Sequence, residues 1–214
     1  MPDRDEFLRR WSALHLGLAP SWLVRRWLSL CFPLAQVLAR LRVPPNVITL
    51  TALASAIAVP AVAAGERNLL LLAAVLVVIS GVLDNLDGAV AAITDQATAF
   101  GAVLDSVADR LADTAYVITL WVLGAPGWLA GLVAGAAALQ EYVRARAAGA
   151  GMRAVGVVTV AERPTRVIMV AALLVGVVVV GHAAVVATAG ALASLGLAVV
   201  GLTQVLIATH RALG

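Results

Sequence analysis

Lysine is absent from this chain, cysteine occurs once, and charged residues of both signs fill only 13% of its 214 positions. All fifteen basic residues are therefore arginines. Cys31, the single cysteine, has no partner for an internal disulfide and no neighbour at metal-ligand spacing, so it reads as packing. A charged N-terminus without an apolar core and small-residue cleavage site gives no sign of a cleavable signal peptide. Apolar residues dominate instead. Hydrophobic residues make up 62% of the chain and the mean hydropathy is +0.99, outside the soluble globular range and within the membrane class.

A bilayer crossing needs about 20 apolar residues. Six stretches qualify, at 46–64, 68–92, 98–123, 127–148, 164–180 and 183–209. The arginines are distributed unevenly around them. Arg4, Arg9, Arg10, Arg25, Arg26, Arg40 and Arg42 precede the first span. Arg144, Arg146, Arg153, Arg163 and Arg166 surround the fourth-to-fifth connection, Arg211 follows the sixth span, and the opposite loops hold only Arg67. The positive-inside rule then puts both termini in the cytoplasm of a multi-pass plasma-membrane protein. The isoelectric point near 10.0 follows from this asymmetry and points to anionic lipid headgroups, not nucleic acid.

The expected fold is an all-α membrane protein with six transmembrane helices preceded by an N-terminal interfacial amphipathic helix. Residues 1–43 form the cytoplasmic and interfacial N-terminal part, and residues 44–214 the six-helix transmembrane catalytic domain. Within 21–42, Leu23, Trp27, Leu28, Leu34, Leu38 and Leu41 recur at helical spacing, with Arg25, Arg26 and Arg40 elsewhere. Trp22 and Trp27 suit the headgroup level, and Pro33 is expected to kink the helix. In the fourth span Gly127, Gly131 and Gly135 recur every four residues, a stripe that permits close approach of a helix from this chain or from a second subunit.

Four acids interrupt the apolar pattern: Asp84 and Asp87 in GVLDNLDGAVAA, Asp105 and Asp109 in FGAVLDSVADRLAD. Each costs roughly 2.5–3.5 kcal/mol at mid-membrane on insertion scales, so the set needs a cation. Asp84 and Asp87 are three apart and Asp105 and Asp109 four apart, so each pair shares a helix face. Antiparallel spans joined through the turn at 94–96 bring the two pairs to similar depth at about 1.5 Å rise per residue. Hard oxygen donors of this kind suit magnesium or manganese. Gly88 and Gly101 beside them allow a bulky anionic ligand to approach; the alternative is that they serve helix packing.

The segment from Asp84 to Asp109 resembles the signature of the CDP-alcohol phosphotransferases, D-x2-D-G-x2-A-R-x8-G-x3-D-x3-D. Asp84, Asp87, Gly88, Ala91, Gly101, Asp105 and Asp109 match it, whereas Ala92 stands where the family has arginine. PNVIT at 45–49 resembles the family's opening of the first span, and EYVRARAAGAGMR with AERPTR resembles actinobacterial phosphatidylinositol-phosphate synthases. The resemblance implies a six-helix homodimer with two divalent ions held by Asp84, Asp87, Asp105 and Asp109, and Asp109 taking the acceptor's proton. It also implies donor contacts from Asn46, Thr49 and Thr98, beside Gly88 and Gly101.

The donor implied is CDP-diacylglycerol, attacked by the hydroxyl of a small polar alcohol with release of CMP. Arg144, Arg146, Arg163 and Arg166 offer guanidinium forks for a phosphorylated acceptor such as inositol phosphate, with Glu162 orienting Arg163. Positive-inside topology alone is the competing explanation for these arginines. Glycerol phosphate is the alternative acceptor, and a cation transporter or an inactive homologue the alternative class of protein. The missing arginine at position 92 is expected to weaken donor binding.

Overall fold

The computed structural model describes residues 3–14, 22–152 and 159–214. Arg153 and the side chains of Trp22, Leu23 and Trp27, which entered the expectations above, lie outside what is described. Among the described residues every regular element is helical: α1 (Arg4–Leu14), α2 (Trp22–Arg40), α3 (Pro45–Ala63), α4 (Leu69–Thr94), α5 (Ala99–Val122), α6 (Gly127–Gly149), α7 (Arg163–Val180) and α8 (Ala183–Leu213). Four of these, α3, α4, α7 and α8, are long and apolar enough to cross a membrane. The acids and arginines within α5 and α6 lower their hydropathy, although both cover stretches of spanning length.

The helix ends follow local chemistry. Arg42 adopts a left-handed φ of 56° after α2, and Pro44-Pro45 then starts α3 with proline in the first turn, where no N–H is needed. Asp95, with φ 57°, ends α4 in the same way. Thr98 accepts the backbone N–H of Gly101 on its hydroxyl at 2.9 Å, capping the start of α5. Gly181 closes α7 at φ 79°, a conformation that disfavours any side chain. Pro33, expected to kink α2, lies inside a helix that continues on both sides of it.

The chain divides into two compact units, Met1–Ser55 with Ile79–Asp109, and Ala56–Val78 with Arg110–Gly214. In the first, Phe7 and Leu8 of α1 are buried, and the Phe7 and Phe32 rings lie 5.0 Å apart. Leu28, Cys31, Ala35 and Ala39, spaced three or four apart on α2, pack with Ile48 and with Leu86, Ala89, Val90, Ala92 and Ile93 of α4. Cys31 is thus a packing residue of that cluster. The opposite apolar stripe of α2, Leu30, Leu34 and Val37, is exposed, as is Leu41 in the turn after it.

In the second unit α8 packs against α6 and α7. Small residues permit this: a Cβ on Gly190 would stand 2.0 Å from Leu173 Cδ1, and one on Gly201 2.7 Å from Gln140 Oε1. Apolar lipid supplies no hydrophobic force between helices, so such close approach carries the packing. Gly131 and Gly135 of α6, by contrast, have no neighbour within 4 Å of an added Cβ among the described residues.

Candidate active site

Helical spacing within the first unit assembles the acids. Asp84 lies on α4, Asp105 and Asp109 on α5, and one carboxylate oxygen from each lies within 4.8 Å of the others. All three are half-buried. Carboxylates at this separation repel one another unless a cation stands between them, and three hard oxygen donors fit a magnesium- or manganese-sized ion. The donor set therefore fits a divalent metal.

Asp87 is placed differently. It is buried, and its carboxylate accepts the Thr49 hydroxyl at 2.5 Å and the Gly88 backbone N–H at 2.6 Å. A buried carboxylate needs such partners to offset its lost hydration. Thr49, expected at the donor, thus reaches Asp87 from α3, and its hydroxyl also lies 3.2 Å from Pro45 O.

Three further residues expected at the donor come together. A Cβ on Gly101 would stand 3.0 Å from Thr98 Oγ1 and 3.3 Å from Asn46 Oδ1, so only glycine leaves this corner open. At Gly88 nothing among the described residues lies within 4 Å of the same construction. Ala92, at the signature's arginine position, is 3% exposed inside the α2–α4 cluster. A guanidinium does stand beside it, because Arg10 of α1 reaches the Ile93 carbonyl at 3.4 Å while held by Glu6 at 2.6 Å.

The expected arginines belong to the second unit, where Arg144 and Arg166 join an ion-pair network. Arg166 bonds Asp113 and lies 3.2 Å from Glu141. Arg110 reaches Asp113 at 3.3 Å and Glu141 at 3.5 Å. Glu162, expected to orient Arg163, forks onto Arg144, with one bond at 3.2 Å and a second, shorter one. Burial pushes the Glu162 carboxyl upward, but the Arg144 hydrogen bonds and the Thr159 N–H outweigh it, and Glu162 is held below the ordinary carboxylate range. Arg163 is half-buried and Arg146 exposed.

Glu141 is a functional candidate that sequence reasoning missed. Its signal was its position three residues before Arg144 on a helix, a spacing that pairs side chains but is common in solvated helices.

A family model described as CDP-alcohol phosphatidyltransferase matches residues 42–208. The chain belongs to that family. Among relatives of this phosphatidyltransferase, an archaetidylinositol phosphate synthase of Methanothermobacter thermautotrophicus is 42% identical over 135 residues, covering 62% of this chain and 67% of the relative. A phosphatidylinositol phosphate synthase of Mycobacteroides abscessus is 35% identical over 147 residues, covering 65% and 66%. The matched stretch thus spans about two thirds of these relatives.

Two solved structures of the Mycobacterium tuberculosis phosphatidylinositol phosphate synthase are similar to the present fold, at 26% identity. The one with CDP-DAG bound has a TM-score of 0.67, covering 86% of this chain and 95% of that one. The one in complex with manganese and citrate has a TM-score of 0.68, covering 86% and 90%. As a family member the chain is a multi-pass membrane transferase of phospholipid biosynthesis, and its acid triad is of the kind that uses a divalent metal.

Proposed function

We propose that this phosphatidyltransferase moves a phosphatidyl group from CDP-diacylglycerol to a hydroxyl of inositol phosphate, releasing CMP. The observation that carries the reading is the convergence of Asp84, Asp105 and Asp109 within 4.8 Å at the positions of the family signature. Inositol phosphate as acceptor is supported by the names of relatives from archaea and actinobacteria.

In this reading Asp84, Asp87, Asp105 and Asp109 hold two divalent ions, magnesium or manganese. When bound, such ions neutralise the diphosphate and the charge that grows on departing CMP. Asp109 takes the proton of the acceptor hydroxyl, whose oxygen forms a bond to the lipid-bearing phosphorus as the bond from that phosphorus to the CMP oxygen breaks. Thr49 fixes Asp87, and Asn46, Thr98, Gly88 and Gly101 leave room for and contact the donor's nucleotide. Arg144, Arg146, Arg163 and Arg166 take the acceptor's phosphate.

Helices α3 to α8 are assigned as six spans, making residues 44–214 the transmembrane catalytic domain. Within residues 1–43, α2 lies in the interface, its exposed Leu30, Leu34 and Val37, with Leu41 just beyond it, against lipid. The arginine distribution supports an active site on the cytoplasmic face of the plasma membrane. Gly131 and Gly135, open on α6, support a homodimer through that face.

The test is CMP release from CDP-diacylglycerol by purified protein with magnesium, scored across inositol phosphate, glycerol phosphate, serine and free inositol. The expected result is release with inositol phosphate above all others. Release only with another alcohol reassigns the acceptor, and none with any removes the proposal.

A further inference from the structure

Arg110 of α5, Arg144 of α6 and Arg166 of α7 meet three carboxylates, Asp113, Glu141 and Glu162. The three acids are not held alike. Glu162 grips Arg144 with both oxygens and accepts the Thr159 N–H at 2.8 Å and its hydroxyl at 2.9 Å. Asp113 bonds Arg166 and has the least exposed side chain of the three acids, at 11%. Glu141 reaches Arg166, Arg110 and Arg144 at 3.2, 3.5 and 4.0 Å, all through the single oxygen Oε1, and its side chain is 25% exposed.

Charge-assisted bonds to carboxylate prefer about 2.7–2.9 Å, so Glu141 is the loosest member. One carboxylate oxygen cannot satisfy three guanidiniums, whereas the tetrahedral oxygens of a phosphate monoester offer each its own acceptor. Beside Asp113 and Arg166 lies a cavity lined mainly by apolar side chains, among them Val117, Leu120, Val133 and Val170, so the phosphate is taken at the arginines themselves and not in that cavity.

We infer that Glu141 is an internal stand-in for phosphate: it occupies the arginine cluster and is exchanged for the phosphate monoester of the acceptor. This rests on the reading that Arg144 and Arg166 serve the acceptor. Glu141 thereby sets acceptor affinity, since every phosphate that binds must first displace it. A fixed positioning residue has the opposite signature, because removing it would disorder the arginines and weaken binding.

Three measurements on the full chain in detergent decide the matter. Glu141→Gln is expected to lower KM for inositol phosphate about two- to tenfold, the scale of one partly exposed ion pair, and to leave KM for CDP-diacylglycerol unchanged. Inorganic phosphate should raise the melting temperature of the variant at correspondingly lower half-saturating concentration than in the parent. Arg166→Gln should abolish that phosphate effect and raise KM for inositol phosphate. A raised or unchanged acceptor KM and phosphate midpoint in Glu141→Gln, or a variant unable to fold, overturns the exchange. If Arg166→Gln leaves acceptor KM unmoved while the phosphate shifts hold, the acceptor assignment fails, and with it exchange for the acceptor's phosphate; only exchange of Glu141 for inorganic phosphate is then left.

Discussion

Thr49 of α3 donates its hydroxyl to Asp87 of α4 at 2.5 Å, across 38 residues of sequence, inside the packed interior of the first unit. The bond ties the opening of one helix to the signature of the next. It also gives a buried carboxylate a side-chain partner in addition to the N–H of neighbouring Gly88. Hydrogen bonds to charged groups contribute about 1.5–3 kcal/mol. Thr49→Val should lower stability by about that amount, while Thr49→Ser keeps the donor and most of the stability. Thermal or chaotrope unfolding in detergent checks both, and equal losses in the two variants would contradict the role given to the hydroxyl.

Asp109→Asn should reduce CMP release by at least about 10²-fold, the scale of a lost general base, with the protein still folded. Single-turnover release of CMP from CDP-diacylglycerol is the readout. Turnover near the parent's rate in that variant would remove the base assignment from Asp109.

The two glycines of the signature should part company. Gly101→Ala forces a methyl group to 3.0 Å from Thr98 Oγ1 and 3.3 Å from Asn46 Oδ1, so the α5 start and the Asn46 side chain must shift. Its expected effect is a raised KM for CDP-diacylglycerol together with lower stability. Gly88→Ala meets no atom of the described residues within 4 Å and should leave stability unchanged, so a rise in donor KM at constant melting temperature reports the ligand. Melting temperatures set beside donor KM values separate the two cases.

Glu162 makes stability depend on pH in a definite direction. Its carboxyl is held below the ordinary range when folded, because the Arg144 and Thr159 hydrogen bonds overcome the effect of burial. A depressed folded value means that the contribution is fully present above the unfolded value, about 4.3, and is lost as pH falls below it through the folded value. The parent's melting temperature should therefore drop more steeply below about pH 4.3 than that of Glu162→Gln. Parallel curves for the two proteins would contradict this account.

Restoring the signature arginine tests how far sequence expectation survives contact with the fold. The sequence leads one to expect that Ala92→Arg improves donor binding. The structure buries Ala92 among Leu28, Cys31, Ile48 and Ile93, where a guanidinium has no room without parting α2 from α4. Overpacking of this kind costs about 1–3 kcal/mol, and a buried charge adds to it. Lower stability, with no gain in donor KM, is the expected outcome in unfolding and kinetic assays.

Much of the site was legible because membrane helices make charges conspicuous. Asp84, Asp105 and Asp109 stand out against apolar sequence, and fixed helical rise brings them to one depth, so their convergence could be read from spacing. The same holds for the six apolar stretches, each of which is helical. What sequence could not supply was the orientation of individual side chains. Asp87 shares a helix face with Asp84, yet its carboxylate turns to Thr49, a partner set by how α3 packs on α4. Glu141 was missed, and Glu162 was assigned to Arg163, for a related reason: among clustered arginines and acids, charge pattern leaves several pairings open, and only packing selects Glu162 for Arg144. Position 92 depended on the N-terminal helices, because burial there is decided by α2, far away in sequence.

The acid triad bears the whole account, and anomalous diffraction at the manganese edge tests it directly. Crystals equilibrated with saturating manganese should give a peak among the carboxylate oxygens of Asp84, Asp105 and Asp109, and Asp105→Asn should diminish or abolish it. A triad without anomalous density in the parent protein, or manganese bound only elsewhere in the chain, would contradict the metal-centred phosphatidyl transfer set out above.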